Sequence, residues 1–136
     1  MDISSFIKPK NQVILVFDDQ PIHEAIEIME KSRFTSIPII NRNGEYVGTL
    51  TEGDLLWEIK NTAKFNINKA EKILVGMMHR HRDYESIHIG ANIDQLITKA
   101  SNENFVPVID DHNQFVGIVT RKTLLDYFFD HKFIVL

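Results

Sequence analysis

The 136-residue chain sets 15 Lys and Arg against 19 Asp and Glu, a net charge of −4. That balance argues against general affinity for nucleic acid or an anionic membrane surface. It has no cysteine, which excludes disulfides, thiolate catalysis and cysteine-ligated metal sites. Hydrophobic residues make up 43% of the chain, but no apolar run approaches the ~20 residues that span a bilayer. Met1-Asp2-Ile3-Ser4-Ser5 does not read as a secretory signal, so a cytoplasmic protein is expected.

The first strand is read at Val13 to Phe17, a β-branched apolar run. Asp18, Asp19 and Gln20-Pro21 give turn and helix-start signals. Ile22, Ala25, Ile26 and Met29 then fall at helical spacing. Ile37 to Ile40 and Tyr46 to Leu50 are strands joined through Asn43-Gly44, a hairpin-turn pair. Thr51 opens a second helix carrying Leu55, Leu56 and Ile59. Ala70, Ile73, Leu74, Met77 and Met78 suggest a short amphipathic helix, and the basic run His79-Arg80-His81-Arg82 reads as a solvated linker. The order then recurs. Ile87 to Ile89 is a strand, Ile93, Leu96, Ile97 and Ala100 mark a helix, and Val106 to Ile109 with Phe115 to Val119 form a hairpin. Thr120 opens the last helix, with Leu124, Leu125 and Phe128 apolar, and Phe133 to Leu136 end the chain.

The recurrence is an internal repeat with a constant offset of 69 between Pro38 and Pro107, Gly48 and Gly117, Thr51 and Thr120, and Leu56 and Leu125. The first helix lies two residues nearer the strand proline in the second copy: Met29 precedes Pro38 by nine residues, and Ala100 precedes Pro107 by seven. Each repeat would be marginal alone, and the two copies are expected to share one core.

The unit strand–helix–strand–turn–strand–helix, with Pro38 in one strand and Gly48-Thr49-Leu50-Thr51-Glu52-Gly53-Asp54 closing the hairpin, resembles the CBS domain. Two tandem copies resemble a CBS pair, or Bateman module, of the stand-alone bacterial type. The resemblance implies an α/β (α+β) fold in which each repeat is a small sheet with two helices packed on it. Residues 1–69 and 70–136 would form the two repeats, related by a pseudo-twofold axis, and the module would pair into a disc-like homodimer. It also implies a regulatory module that binds AMP, ADP, ATP, S-adenosylmethionine or cyclic di-AMP in clefts between the repeats. In the family, the Thr/Ser and Asp of Gly-x-x-Thr-x-x-Asp bond the ribose. The residues before the opposite strand proline line the adenine pocket.

Two unlike clefts follow. Site A would combine Thr51 and Asp54 with Asn104, Phe105, Val106 and Pro107. Asp54 would accept from the ribose hydroxyls, and Phe105 would offer its ring to adenine. The plainer reading makes Thr51 an N-cap and Asp54 a first-turn acid. Site B would combine Thr120, Arg121, Lys122 and Thr123 with Gln12, Val13, Ile14, Phe34, Thr35, Ser36, Ile37 and Pro38. Thr123 stands there in place of the ribose aspartate, while Arg121 and Lys122 at a helix start suit a phosphate. Site A has Glu52-Gly53 in their place. Site B is therefore expected to take the phosphate-rich ligand. Phe34 to Pro38 and Thr120 to Lys122 also resemble small CBS proteins that bind cyclic di-AMP.

No nucleophile with a base, metal cluster or Gly-rich phosphate loop stands out, so neither an enzyme nor a required cofactor is expected. His79, His81 and Asp83 are poorly spaced for a metal. His23 and His88 read as ordinary, partly exposed residues, and the apolar C-terminal tail as a dimer contact. The leading reading is a cytoplasmic adenine-nucleotide sensor acting in trans on a protein partner, with no nucleic-acid or membrane partner. The alternative is a ligand-independent interaction scaffold with vestigial clefts.

Overall fold

The computed structural model describes residues 3–61, 72–81 and 83–130. Ala70, Arg82 and the tail from Phe133 lie outside them. The fold is mixed α+β, with a sheet and two described helices in each of two compact units, as the tandem repeat implies. One unit is Ile14–Asp83, and the other joins Met1–Val13 to Tyr84–Leu136.

In the contiguous unit, β2 (Val16–Phe17) runs parallel to β3 (Ser36–Ile40), which pairs antiparallel with β4 (Tyr46–Thr51). The first strand is shorter than its apolar run suggests, because only Val16 and Phe17 find partners on β3. Helix α1 (Ile22–Ser32) buries Ile22, Ala25 and Met29, one face of its 3.6-residue period. It ends at Arg33, whose left-handed backbone (φ 62°) sends its N–H back to the Met29 carbonyl. Helix α2 (Glu52–Asn61) follows β4 directly and contributes Leu55 to the core.

The amphipathic helix expected around Ile73 to Met78 is not formed over the described residues, where Val75–Met77 make a single 3-10 turn. The backbone there is bonded to the β2–α1 turn. Ile22 N–H donates to Ile73 O, Val75 N–H to Gln20 O and Gly76 N–H to Asp18 O. Those bonds hold Ile73 to Gly76 against the turn and cannot coexist with a continuous helix. Val75 and Met78 are buried, while Met77 is 68% exposed.

In the other unit the sheet order is β1-β7-β6-β5, with β1 at Lys8–Pro9, β5 at Ile87–His88, β6 at Phe105–Ile109 and β7 at Phe115–Thr120. Helix α3 (Ile93–Ala100) starts from a capping box in which Asn92 and Gln95 each accept the other's backbone N–H. Helix α4 (Arg121–Asp130) follows β7 directly. Ile3 and Phe6 from the chain start join Leu96, Val106, Val108, Val119 and Leu124 in this unit's core.

The offset of 69 holds to fine detail. Both hairpins shift register at one place, between Ile39 and Ile40 and between Val108 and Ile109. Gly44 (φ 85°) and Asn113 (φ 60°) take the same left-handed position in the two turns, which asparagine tolerates better than other non-glycine residues.

Candidate functional site

Within each unit, the β-hairpin brings half of site A beside half of site B. In the Ile14–Asp83 unit, Ser36 pairs with Thr51 across the strands, and Glu52 N–H donates to Thr35 O (3.0 Å). Phe34, Thr35 and Ser36 therefore lie next to the turn that carries Thr51 and Asp54. Phe34 is 46% and Ile14 40% exposed, while Ile37 and Pro38 are buried. In the other unit, Phe105 pairs with Thr120, so Asn104 to Pro107 flank the turn of Thr120 to Thr123. Gln12 and Val13 belong to that second unit; Gln12 closes a 3-10 turn and Val13 follows it.

The two turns differ. Asp54 N–H donates to Thr51 Oγ1 (3.1 Å), and Thr51 N–H donates to Asp54 Oδ2 (3.1 Å). This is a complete capping box with aspartate at its third position. Asp54 is 3% exposed, and its other oxygen, Oδ1, accepts the backbone N–H of His81 (3.0 Å). Both the N-cap reading of Thr51 and a first-turn role for Asp54 are thus realised. In the other unit, Thr123 N–H donates to Thr120 Oγ1 (3.2 Å), and the two hydroxyls are 2.9 Å apart. That turn carries no carboxylate.

The cations of site B are exposed but engaged. Arg121 Nε donates to the carbonyls of Ala100 (3.0 Å) and Glu103 (2.7 Å), capping the C-terminal end of α3. Lys122 Nζ pairs with Asp126 Oδ2 at 2.7 Å, and that hydrogen bond holds the ammonium above its ordinary pKa. Phe105, expected to offer its ring to adenine, is 4% exposed and packs on Tyr84 with ring centroids 5.0 Å apart.

Tyr84 was not among the sequence candidates. The signal was present: before the two-residue shift the offset is 71, as between Val16 and Ile87 and between Ile22 and Ile93. That register makes Tyr84 and Glu85 the counterparts of Val13 and Ile14.

The linker residue Arg80 is not solvated as expected. Its side chain is 14% exposed and pairs with Asp83 through Nε (2.8 Å) and Nη2 (3.3 Å). Its hydrogen bond to Asp83 raises the Arg80 pKa further. Asp83 also accepts the Thr49 N–H (3.0 Å). Burial pushes the Asp83 carboxyl up, but Arg80 and the Thr49 amide outweigh it and hold it below its ordinary 3.8. A Cβ at Gly48 would overlap this carboxylate, which is why the acid can sit there. His88 is likewise more constrained than expected. Its Nδ1 accepts the Gly90 N–H (2.8 Å), so its Nε2 carries the proton and donates to Asp111 (2.6 Å). Among the described residues, no group of three or more His, Asp or Glu is placed to hold a metal ion. No described helix is long and apolar enough to cross a membrane.

The repeated hairpin-to-helix turn is the mark of one domain type, and the sequence model of the CBS domain matches the chain twice, over residues 3–61 and 73–130. The chain belongs to the CBS-domain family. The CBS pair is 30% identical over 105 residues to the L-aspartate semialdehyde sulfurtransferase of Methanocaldococcus jannaschii, a match covering 76% of this chain and 19% of that protein. The chain thus spans about a fifth of that relative's length. Its fold is that of CbpB crystallised with cyclic di-AMP (TM-score 0.85, 24% identity, 98% of this chain and 89% of that one). It is also that of CBSX2 in complex with AMP (TM-score 0.74, 22% identity, 96% and 98%).

Proposed function

We propose that this CBS pair is a regulatory adenine-nucleotide sensor that acts in trans on a protein partner. The observation that carries the reading is the company the fold keeps: one similar structure holds cyclic di-AMP and another AMP, each over nearly the whole chain. The repeated Thr51/Thr120 turn beside the strand-opening residues Phe34 to Pro38 and Asn104 to Pro107 supports it.

On this reading, Thr120 to Thr123 with Gln12 to Ile14 and Phe34 to Pro38 take the phosphate-bearing ligand. Arg121 is well suited to it. Its Nε is fixed on the carbonyls of Ala100 and Glu103, and a guanidinium carries four further N–H donors in a rigid fork. Thr51 and Asp54 with Asn104 to Pro107 form the second, ribose-directed site. Ligand can shift the partner-reading state only by its differential affinity for that state.

A thermal-shift screen against AMP, ADP, ATP, cyclic di-AMP, cyclic di-GMP and S-adenosylmethionine tests the proposal. Ligand at about 100 times its Kd should stabilise by roughly 2.7 kcal/mol, several degrees in Tm. A shift confined to adenine compounds supports the sensor, and absence of any shift overturns it.

The scaffold reading has one observation in its favour. Leu56, Trp57 and Ile59 on α2 are 41–66% exposed, and Leu125 and Phe129 on α4 are 55% and 64% exposed. Such apolar side chains suit a protein contact, and we propose that they serve a homodimer in either case. A monomeric mass by light scattering at micromolar concentration would remove that part.

A further inference from the structure

We infer that the Thr51–Asp54 half-site is autoinhibited: the chain's own His81, held by Arg80 and Asp83, occupies the carboxylate that a ribose would need. The ligand side of this inference rests on the nucleotide reading above; the closed state stands on geometry alone. Asp54 is 3% exposed, and both of its oxygens accept backbone N–H groups, Thr51 on one and His81 on the other. The second bond comes from 27 residues away in the chain. It replaces, in kind, the donor that a ribose hydroxyl would offer.

His81 is held there from both sides. Arg80 grips Asp83 with two N–H groups, and Asp83 is fixed to β4 by the Thr49 amide. The carboxylate rests in the space left by Gly48. Among the described residues, Arg80 Nη1 is buried and has no hydrogen-bond partner. The Arg80–Asp83 pair is the part of this arrangement that would open. Opening it frees Asp54 and returns that guanidinium group to water or to an anion. The other turn has Thr123 in place of Asp54, so no carboxylate there needs such a cover.

The first test uses ligand-free protein. In the wild type, the His81 and Thr49 amides should exchange hydrogen slowly. Arg80→Ala and Gly48→Ala, which loosen Asp83 by different means, should each speed His81 at least about tenfold. Amides of β6 should keep their rates in both variants. Loop-like exchange at His81 in the wild type, or no change in either variant, overturns the closed state.

The second test is calorimetric titration with AMP. Arg80→Ala should bind roughly tenfold tighter than wild type, and adding Asp54→Ala should cancel the gain. Binding that is unchanged or weaker in Arg80→Ala overturns autoinhibition while leaving the nucleotide reading intact. No binding of AMP or cyclic di-AMP by wild type or opened variants, with His81 still protected, overturns the nucleotide reading and with it the inhibitory role.

Discussion

At Thr51 the chain closes a full capping box around a buried carboxylate, whereas at Thr120 the same threonine meets only a second hydroxyl. Both turns start a helix at the same register, so helix initiation does not explain the acid. What differs is the third partner. Asp54 reaches beyond its own turn to the His81 amide, and Thr123 is bonded within its turn. At position 54 the side chain has become a tie between distant parts of the chain, and at position 123 it has stayed within its turn.

Removing the tie should have the largest effect. Asp54→Ala leaves the Thr51 and His81 amides without their charged acceptor in a buried place. It should cost about 3 kcal/mol and roughly 10 °C in Tm. Thr123→Ala, read in the same denaturation experiment, should cost only about 0.5–1 kcal/mol. Equal losses would break the comparison.

The paired glycines sharpen it. A Cβ at Gly117 would overlap the Lys8 carbonyl, which is backbone, while one at Gly48 meets the end of the Asp83 side chain. Gly117→Ala should therefore destabilise by about 2–3 kcal/mol and Gly48→Ala by about 1, as measured by urea unfolding. The residues after each threonine come next. Arg121→Ala loses the carbonyls of Ala100 and Glu103 and should cost about 1 kcal/mol, besides weakening nucleotide binding. The exposed Glu52→Ala should stay within about 0.5 kcal/mol.

A further small effect is expected in acid. Asp83 titrates below its ordinary 3.8 in the folded chain. Its contribution is therefore present above that value and is lost as pH falls through the lower, folded one. At 39% exposure it should amount to less than about 1 kcal/mol. Urea midpoints at pH 7 and pH 3 should differ more in wild type than in Asp83→Asn.

Much of this contrast could be read from the residues. The constant offset located the hairpins, the helix starts and the substitution of Thr123 for aspartate, because each depends on neighbours in sequence. Asn113 standing where Gly44 stands carried the same turn geometry. What was not legible depends on partners far along the chain. Lys8-Pro9 is too short to show alternation, and nothing in it announces pairing with Gly117 and Ile118. The His79 to Arg82 run looks like any basic linker until Asp83 is seen seated over Gly48. The helix suggested by Ala70, Ile73, Leu74, Met77 and Met78 is absent from its described part, Ile73 to Met78, for a related reason: the apolar spacing is compatible, but the backbone amides there bond the β2–α1 turn. Phe105 was read as open because its pocket neighbour, Tyr84, lies on the far side of the two-residue shift.

The exchange of chain segments between units has a consequence for how the protein is made. Ile14–Asp83 is contiguous, so everything it needs has left the ribosome soon after Asp83 emerges. The other unit cannot close then, because Lys8 and Pro9 pair with a strand not yet synthesised. Ile3 and Phe6 must wait in water for Leu96 and Val106. Ile3 to Pro9 are thus translated before the contiguous unit yet find their place after it, and a ribosome stalled before β7 would hold one finished unit with Ile3 and Phe6 still exposed.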